Sequence, residues 1–204
     1  SWWDPLAQSF TVNISGSTDG VYITKLDLYF GKKDSTLPCT VQIREVVNGF
    51  PTQTIVPNAL KSLAPASINT SADASTATTF TFDTPVFLKN QTDYAIVIVP
   101  AGNSDQYAVW TAKMGGTDVF RPSTLINKQP AAGVLFSSSN DKTWNPIQDE
   151  DLKFTLYRAN FSTSTGTVYI ENKENDYFSV DNLYGSFRVG ETLRSESVLT
   201  FANT

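Results

Sequence analysis

Apolar and polar residues alternate with period two over most of the first 160 residues, which is the spacing of a pleated strand rather than a helix. The clearest run is 21–30, VYITKLDLYF, where Tyr22, Leu26, Leu28 and Phe30 fall on one face and Lys25 and Asp27 on the other. A first strand is predicted over 7–14, AQSFTVNI, ended by the turn-forming cluster 15–20. Segment 40–46 alternates Val41 and Ile43 against Gln42 and Arg44, and the Asn48-Gly49 pair with Pro51 then turns the chain. Residues 58–77, rich in Ala, Ser, Asn and Thr, read as a weak strand and an exposed loop. In the next strand Phe80 and Phe82 share a face before Pro85, which calls for a bulge or an edge position. DYAIVIV, 93–99, is apolar on both faces, as in a central strand covered on two sides. A strand at 107–112 is followed by a stretch, 113–130, that reads as a long loop with one short strand. GVLFS (133–137) and LKFTLYR (152–158) close the unit, with Leu152, Phe154 and Leu156 facing inward.

About nine strands with no helix predict an all-β fold, a two-sheet antiparallel β-sandwich of jelly-roll type spanning 7–160, with 1–6 as an N-terminal linker. Beyond residue 160 the strand-like runs shorten and crowd together, at 167–171, 176–180, 185–190 and 197–202. They predict a small β unit over 161–204 that is cut short at its end. The first residues, Ser1-Trp2-Trp3-Asp4-Pro5, contain neither an initiator Met nor the regions of a secretory signal, so a piece of a longer polypeptide is expected.

Composition narrows the chemistry. Fifteen Lys and Arg against twenty Asp and Glu give 15 − 20 = −5, with no His at all. Histidine-based nucleophile activation, histidine general bases and the usual histidine-containing zinc or haem sites are therefore excluded. The single cysteine, Cys39, cannot form an internal disulfide or a thiolate cluster. The few basic residues are scattered, so no basic stripe for nucleic acid is present. No apolar run reaches the ~18 residues of a membrane span. Charged residues make up 17% of the chain, against the usual ~25%. The difference is made up by 25 Thr, 20 Ser and 14 Asn, while 13 Phe, 8 Tyr and 4 Trp speak against disorder.

Three constellations carry candidate chemistry. Asp149-Glu150-Asp151 is the one dense carboxylate run; with Asn140 and Asp141 it reads either as half of a calcium site or as a solvated turn. Asp27, Glu45 and Asp93 are carboxylates from which a glycosidase pair would be drawn, although nothing local specifies one. No credible SxxK or GxSxG elbow and no glycine-rich phosphate loop is present, so no catalytic residues and no cofactor are assigned. Tyr107, Trp110 and Trp144 lie in or beside loops; they would stack on sugar rings in a carbohydrate-binding module, or else Trp110 and Trp144 cap the ends of the core. Asn13, Asn69, Asn90 and Asn160 begin N-x-[ST] patterns, which are common by chance in a chain so rich in Ser and Thr.

Four stretches, WDPLAQSF (3–10), 20–51 with its LPCTVQIREVVNGFP, 78–99, and 129–161 with its W…EDLKFTLYRA ending, resemble a β-sandwich module of large virion proteins from contractile-tailed bacteriophages. Those proteins are tail, baseplate or tail-fibre components. Position 39, usually a small aliphatic in that family, is Cys here, and a buried Cys behaves as a small hydrophobe. FRVGETLRSESVLTFAN (187–203) is similar to small β modules that follow in such proteins. The resemblance implies a non-catalytic scaffold, spacer or attachment platform, located in the virion and assembled in the host cytoplasm. Its partners would be other virion subunits, a host-surface glycan in the alternative reading, and two further copies in a homotrimer of the full-length protein. A single unpaired Cys suits assembly in a reducing cytosol.

Overall fold

The computed structural model describes residues 4–16, 19–102, 104–116 and 133–161. They form an all-β sandwich of antiparallel strands. The first compact unit spans Ser1–Phe161; residues 162–204 are a separate unit, and the short strands expected there lie outside the described residues.

Twelve strands occur among the described residues. They are β1 (Leu6–Val12), β2 (Gly20–Lys32), β3 (Cys39–Val47), β4 (Phe50–Leu63), β5 (Ala77–Lys89), β6 (Thr92–Pro100), β7 (Ala108–Val109), β8 (Thr111–Lys113), β9 (Leu135–Ser137), β10 (Asn145–Ile147), β11 (Glu150–Leu152) and β12 (Phe154–Arg158). One sheet has the order β10-β9-β1-β6-β3-β4; the other has β12-β2-β5, with β7 also pairing to β2. A two-stranded β11-β8 ribbon completes the unit. The chain passes from one sheet to the other at β1 to β2, β2 to β3, β4 to β5 and β5 to β6, the repeated crossing of a jelly-roll-type sandwich.

Inward residues of both sheets make the main core. Phe10, Val41, Ile43, Ile96 and Ile98 face Leu26, Leu28, Phe30, Phe80 and Leu88, all buried. Strand β6 behaves as its two-sided apolar pattern predicts. Tyr94, Ile96 and Ile98 join the main core, while Ala95, Val97 and Val99 join a second, smaller cluster with Ala7, Phe136 and Trp144. The Asn48-Gly49 pair turns β3 into β4 with both residues at positive φ, 52° and 81°, as a two-residue type I′ hairpin requires.

Four expectations need correction. Residues 58–77 do hold a strand and a largely exposed loop, but the strand is not a weak one: it is the end of β4, fourteen residues long and reaching Leu63, and its interior Pro57 falls where the register to β3 slips between Ile55 and Leu60. Tyr22 does not share a face with Leu26 and Leu28. A bulge between Ile23 and Lys25 reverses the alternation, so that Ile23 is buried and Tyr22 exposed. The end of the proposed linker is structured, with Leu6 already in β1 and Pro5 buried, its carbonyl accepting from Ser138 N (3.1 Å). The predicted strands 107–112 and 152–158 are each broken in two, at Trp110 and Lys153, and Lys153 N donates to Trp110 O across the break (3.0 Å). Pro85 sits, as expected, in a bulged edge strand: Thr81 and Val86 of β5 pair with Lys25 and Ile23 of β2. Most of 113–130 lies outside the described residues.

Candidate functional site

Each of the three aromatic residues that would form a sugar platform is engaged elsewhere. Trp144 is 6% exposed and packs edge-on to Phe136, with ring centroids 6.5 Å apart, over the outer side of the six-stranded sheet. Its face is closed to a sugar. Trp110 is half-buried and committed at three atoms: its amide donates to Tyr29 O (2.9 Å), its carbonyl accepts from Lys153 N, and its indole Nε1 donates to Ser71 O (3.0 Å). The ring lies against Gly31, where a Cβ would stand 3.4 Å from the indole nitrogen. Tyr107 stacks edge-to-face on Phe30 and donates to Leu37 O (2.5 Å); burial, then the nearby Cys39 and Asp34, push its hydroxyl up to about 12. Tyr107 packs on the main core, Trp144 is buried in a separate cluster on the outer side of the sheet and Trp110 is held by backbone bonds, so the row expected of a carbohydrate platform is not assembled.

Of the three carboxylates from which a glycosidase pair would be drawn, Asp27 and Asp93 are bonded across strands and Glu45 is exposed. Asp27 is buried and accepts from Thr79 Oγ1 (2.6 Å) and Tyr157 OH (2.7 Å). Asp93 accepts from Thr11 Oγ1 on the neighbouring strand (2.6 Å). The run 149–151 is neither a calcium half-site nor wholly a solvated turn. Asp149 and Glu150 pair with Lys113, whereas Asp151 is fully buried and accepts from Gln8 Nε2 (3.1 Å). Asp141 forms a bidentate pair with Arg44 (2.8 and 2.9 Å). Among the described residues no group of three His, Cys, Asp or Glu side chains is placed to hold a metal ion. Asn90, one of the four N-x-[ST] residues, uses its amide to bridge Ile14 N and Ile14 O.

Sequence reasoning missed two arrangements. The first is the contact of Gln8 with Asp151, where Gln8 Oε1 also accepts from Leu152 N (2.8 Å). This joins the DPLAQSF and EDLKFTLYRA stretches through one buried polar knot. The second is an exposed aromatic patch on the outer face of the β12-β2-β5 sheet. Tyr22 and Phe87 are register partners with centroids 5.1 Å apart, and Phe161 stands perpendicular to Tyr22 at 5.4 Å. Phe161 is 67% exposed and the other two about two-fifths. Further along the same face Lys25 lies over the Tyr157 ring (4.4 Å) and Lys153 over Tyr29 (4.2 Å). A contiguous apolar patch rimmed by charge is the kind of surface that marks interaction sites. The signal in the sequence was the bulge itself, which turns Tyr22 outward and has no residue signature.

One acid stands out electrostatically. Asp34 is almost buried beside the loop that precedes β3; it accepts from Leu37 N (3.0 Å), Ser104 Oγ (2.5 Å) and Thr36 N (2.7 Å), which hold it well below the usual carboxylate range. A depressed folded-state pKa means stability that is present above the unfolded value of ~3.9 and lost as pH falls toward the folded one. Wild-type protein is therefore expected to lose more stability than Asp34→Asn between about pH 5 and pH 2 in urea titrations. Equal losses for the two chains would remove Asp34 from the acid response.

Comparison of the chain with protein-family models, with curated proteins and with solved structures returned no match.

Proposed function

We propose that this chain is a non-catalytic structural module of a contractile-tailed phage, part of a tail, baseplate or tail-fibre protein, which docks on neighbouring virion subunits. The family part of this reading rests on the residue resemblance over about 155 positions. The observation that carries the docking part is the exposed Tyr22, Phe87 and Phe161 patch, set on a rigid sheet whose other face is core. Asp27 and Asp93 tied up in strand-to-strand bonds, and Tyr107, Trp110 and Trp144 tied into ring and backbone contacts, suit a packing module better than an enzyme or a glycan binder. The mechanism is mechanical: the sandwich keeps its shape, and the patch loses water when a neighbour covers it.

The test is incorporation into particles. The Tyr22→Ser, Phe87→Ser double variant is expected to fold with an unchanged thermal midpoint to within a few degrees, because both side chains are exposed. Its presence in purified tailed particles, measured by mass spectrometry against the wild-type chain, is expected to fall at least about tenfold, the effect of losing two aromatic anchors. Equal incorporation would remove the patch from the docking role, and absence of the wild-type chain from such particles would end the virion reading.

A further inference from the structure

On the outer side of the six-stranded sheet, Ala7, Ala95, Val97, Val99, Phe136 and Trp144 form an apolar layer separate from the main core. An outer sheet face this apolar needs a cover. The segment that provides it, residues 138–146, is thin: a turn built on Ser138 Oγ, which accepts from Asn140 N and Asp141 N, followed by Trp144 and the three-residue strand β10. Both of its ends are fixed. Ser138 N is bonded to Pro5 O, and Ile147 packs on the main core.

Between those ends the segment is held by Trp144 in the outer cluster, by the pairing of Asn145 and Pro146 with Ser137 and Phe136 of β9, and by polar contacts to β3 and β4 at one point. Arg44, on β3, is 3% exposed and aims its guanidinium outward at the Asp141 carboxylate, with a side bond to Gln42 Oε1 (2.7 Å). Gln53 Nε2 of β4 donates to Asp141 O. Beneath the segment lies an unmet cost: Trp144 Nε1 is buried with no hydrogen-bond partner. A donor in that position is costly as long as the cover stays closed, and gains a bond to water when it opens. At the rim Phe50, 46% exposed, already reaches Phe136 at 5.7 Å. The cover is thus anchored at two ends, latched at one point and penalised underneath, while the sheet it covers stands on its own ladder of β1, β6 and β3.

We propose that residues 138–146 are a strap that opens as a unit of its own, hinged at Ser138 and Ile147 and released at the Arg44–Asp141 latch, taking the edge strand β10 with it and baring the apolar outer layer while β9-β1-β6-β3-β4 and the other sheet stay paired. The strap borders the six-stranded sheet and the Tyr22 patch lies on the other one, so its opening does not depend on the docking role of that patch. Separately opening units are drawn from regions with few apolar contacts and a local hydrogen-bond network, and the polar turn 138–143 of the strap, bonded within itself through Ser138 and Asn140, is such a region.

Hydrogen exchange of the whole chain, read by mass spectrometry, tests this. Wild-type amides in 138–146 are expected to exchange at least about a hundredfold faster than those of 93–99, with little dependence on sub-denaturing urea. Asp141→Asn and Arg44→Met release the latch from opposite sides. Each is expected to speed strap exchange at least about tenfold and to leave 93–99 within about twofold. Asp141→Asn should also shift tryptophan emission to the red, and this shift should vanish in a Trp144→Phe background. Strap amides that share the rate and urea dependence of 93–99 would overturn the proposal, as would a latch variant that speeds both segments equally. The wild-type comparison decides the matter even where a variant fails to fold.

Discussion

Phe30→Ala is expected to cost the sandwich about 3–5 kcal/mol, because a large, fully buried ring is removed and the surrounding strands can close over the void only in part. For a unit of this size that is a fall in thermal midpoint on the order of 10 °C. The ring sits where several elements meet. It contacts Phe80 of the partner strand (6.3 Å) and Tyr107 (6.0 Å), its residue pairs with Val109 of β7, and it forms a parallel bridge to Thr70. Its loss should therefore loosen the Tyr107 and Trp110 end first, seen as a drop in near-ultraviolet circular dichroism before global unfolding. A cost under about 1 kcal/mol would show that this end carries little of the stability.

Asp151→Ala is expected to cost about 2–3 kcal/mol, the order of leaving a buried amide short of its partner. Gln8 and Asp151 are both fully buried, and the bond between them spans 143 positions of sequence. Removing the carboxylate takes an acceptor from Gln8 Nε2, which keeps a longer bond to Ser9 O (3.2 Å). A double-mutant cycle should find the two residues coupled by about 1–2 kcal/mol. The paired Gln8→Leu, Asp151→Leu change should recover little of the loss, since it leaves the buried Leu152 N without its acceptor Gln8 Oε1. Urea denaturation of the four chains is the measurement, and strictly additive effects would mean that the two side chains are neighbours without being partners.

These two residues also show where the sequence could and could not be read. Period-two alternation carried the inward faces of β3 and β5, and the two-sided apolar run of β6 carried its central place, because burial acts directly on those side chains. The reading failed where one inserted residue reverses the alternation, as at Tyr22, and where prolines occupy a strand that needs no donor on its open side, as in β4. It failed again at Asp151, where an acid beside two exposed acids looks solvated and is buried only because Gln8 comes from the far end of the unit. For the aromatics, composition reveals that Trp144 and Tyr22 exist but not which is covered. Their exposure depends on a strap and a bulge that no local pattern announces.

The four outer strands share a property with a consequence for any dense assembly. Strands β4 and β5 carry Pro57 and Pro85 at register slips, β10 carries Pro146, and the short β12 ends in a bulge at Tyr157 and Arg158. An incoming strand finds either a missing amide donor or a broken ladder at each border. Copies crowded side by side therefore cannot merge their sheets into a larger one by main-chain pairing. Contact between molecules is left to side chains on the broad faces, where it can be specific, reversible and tuned one residue at a time, and the high local concentration of a regular array does not turn into fibre growth.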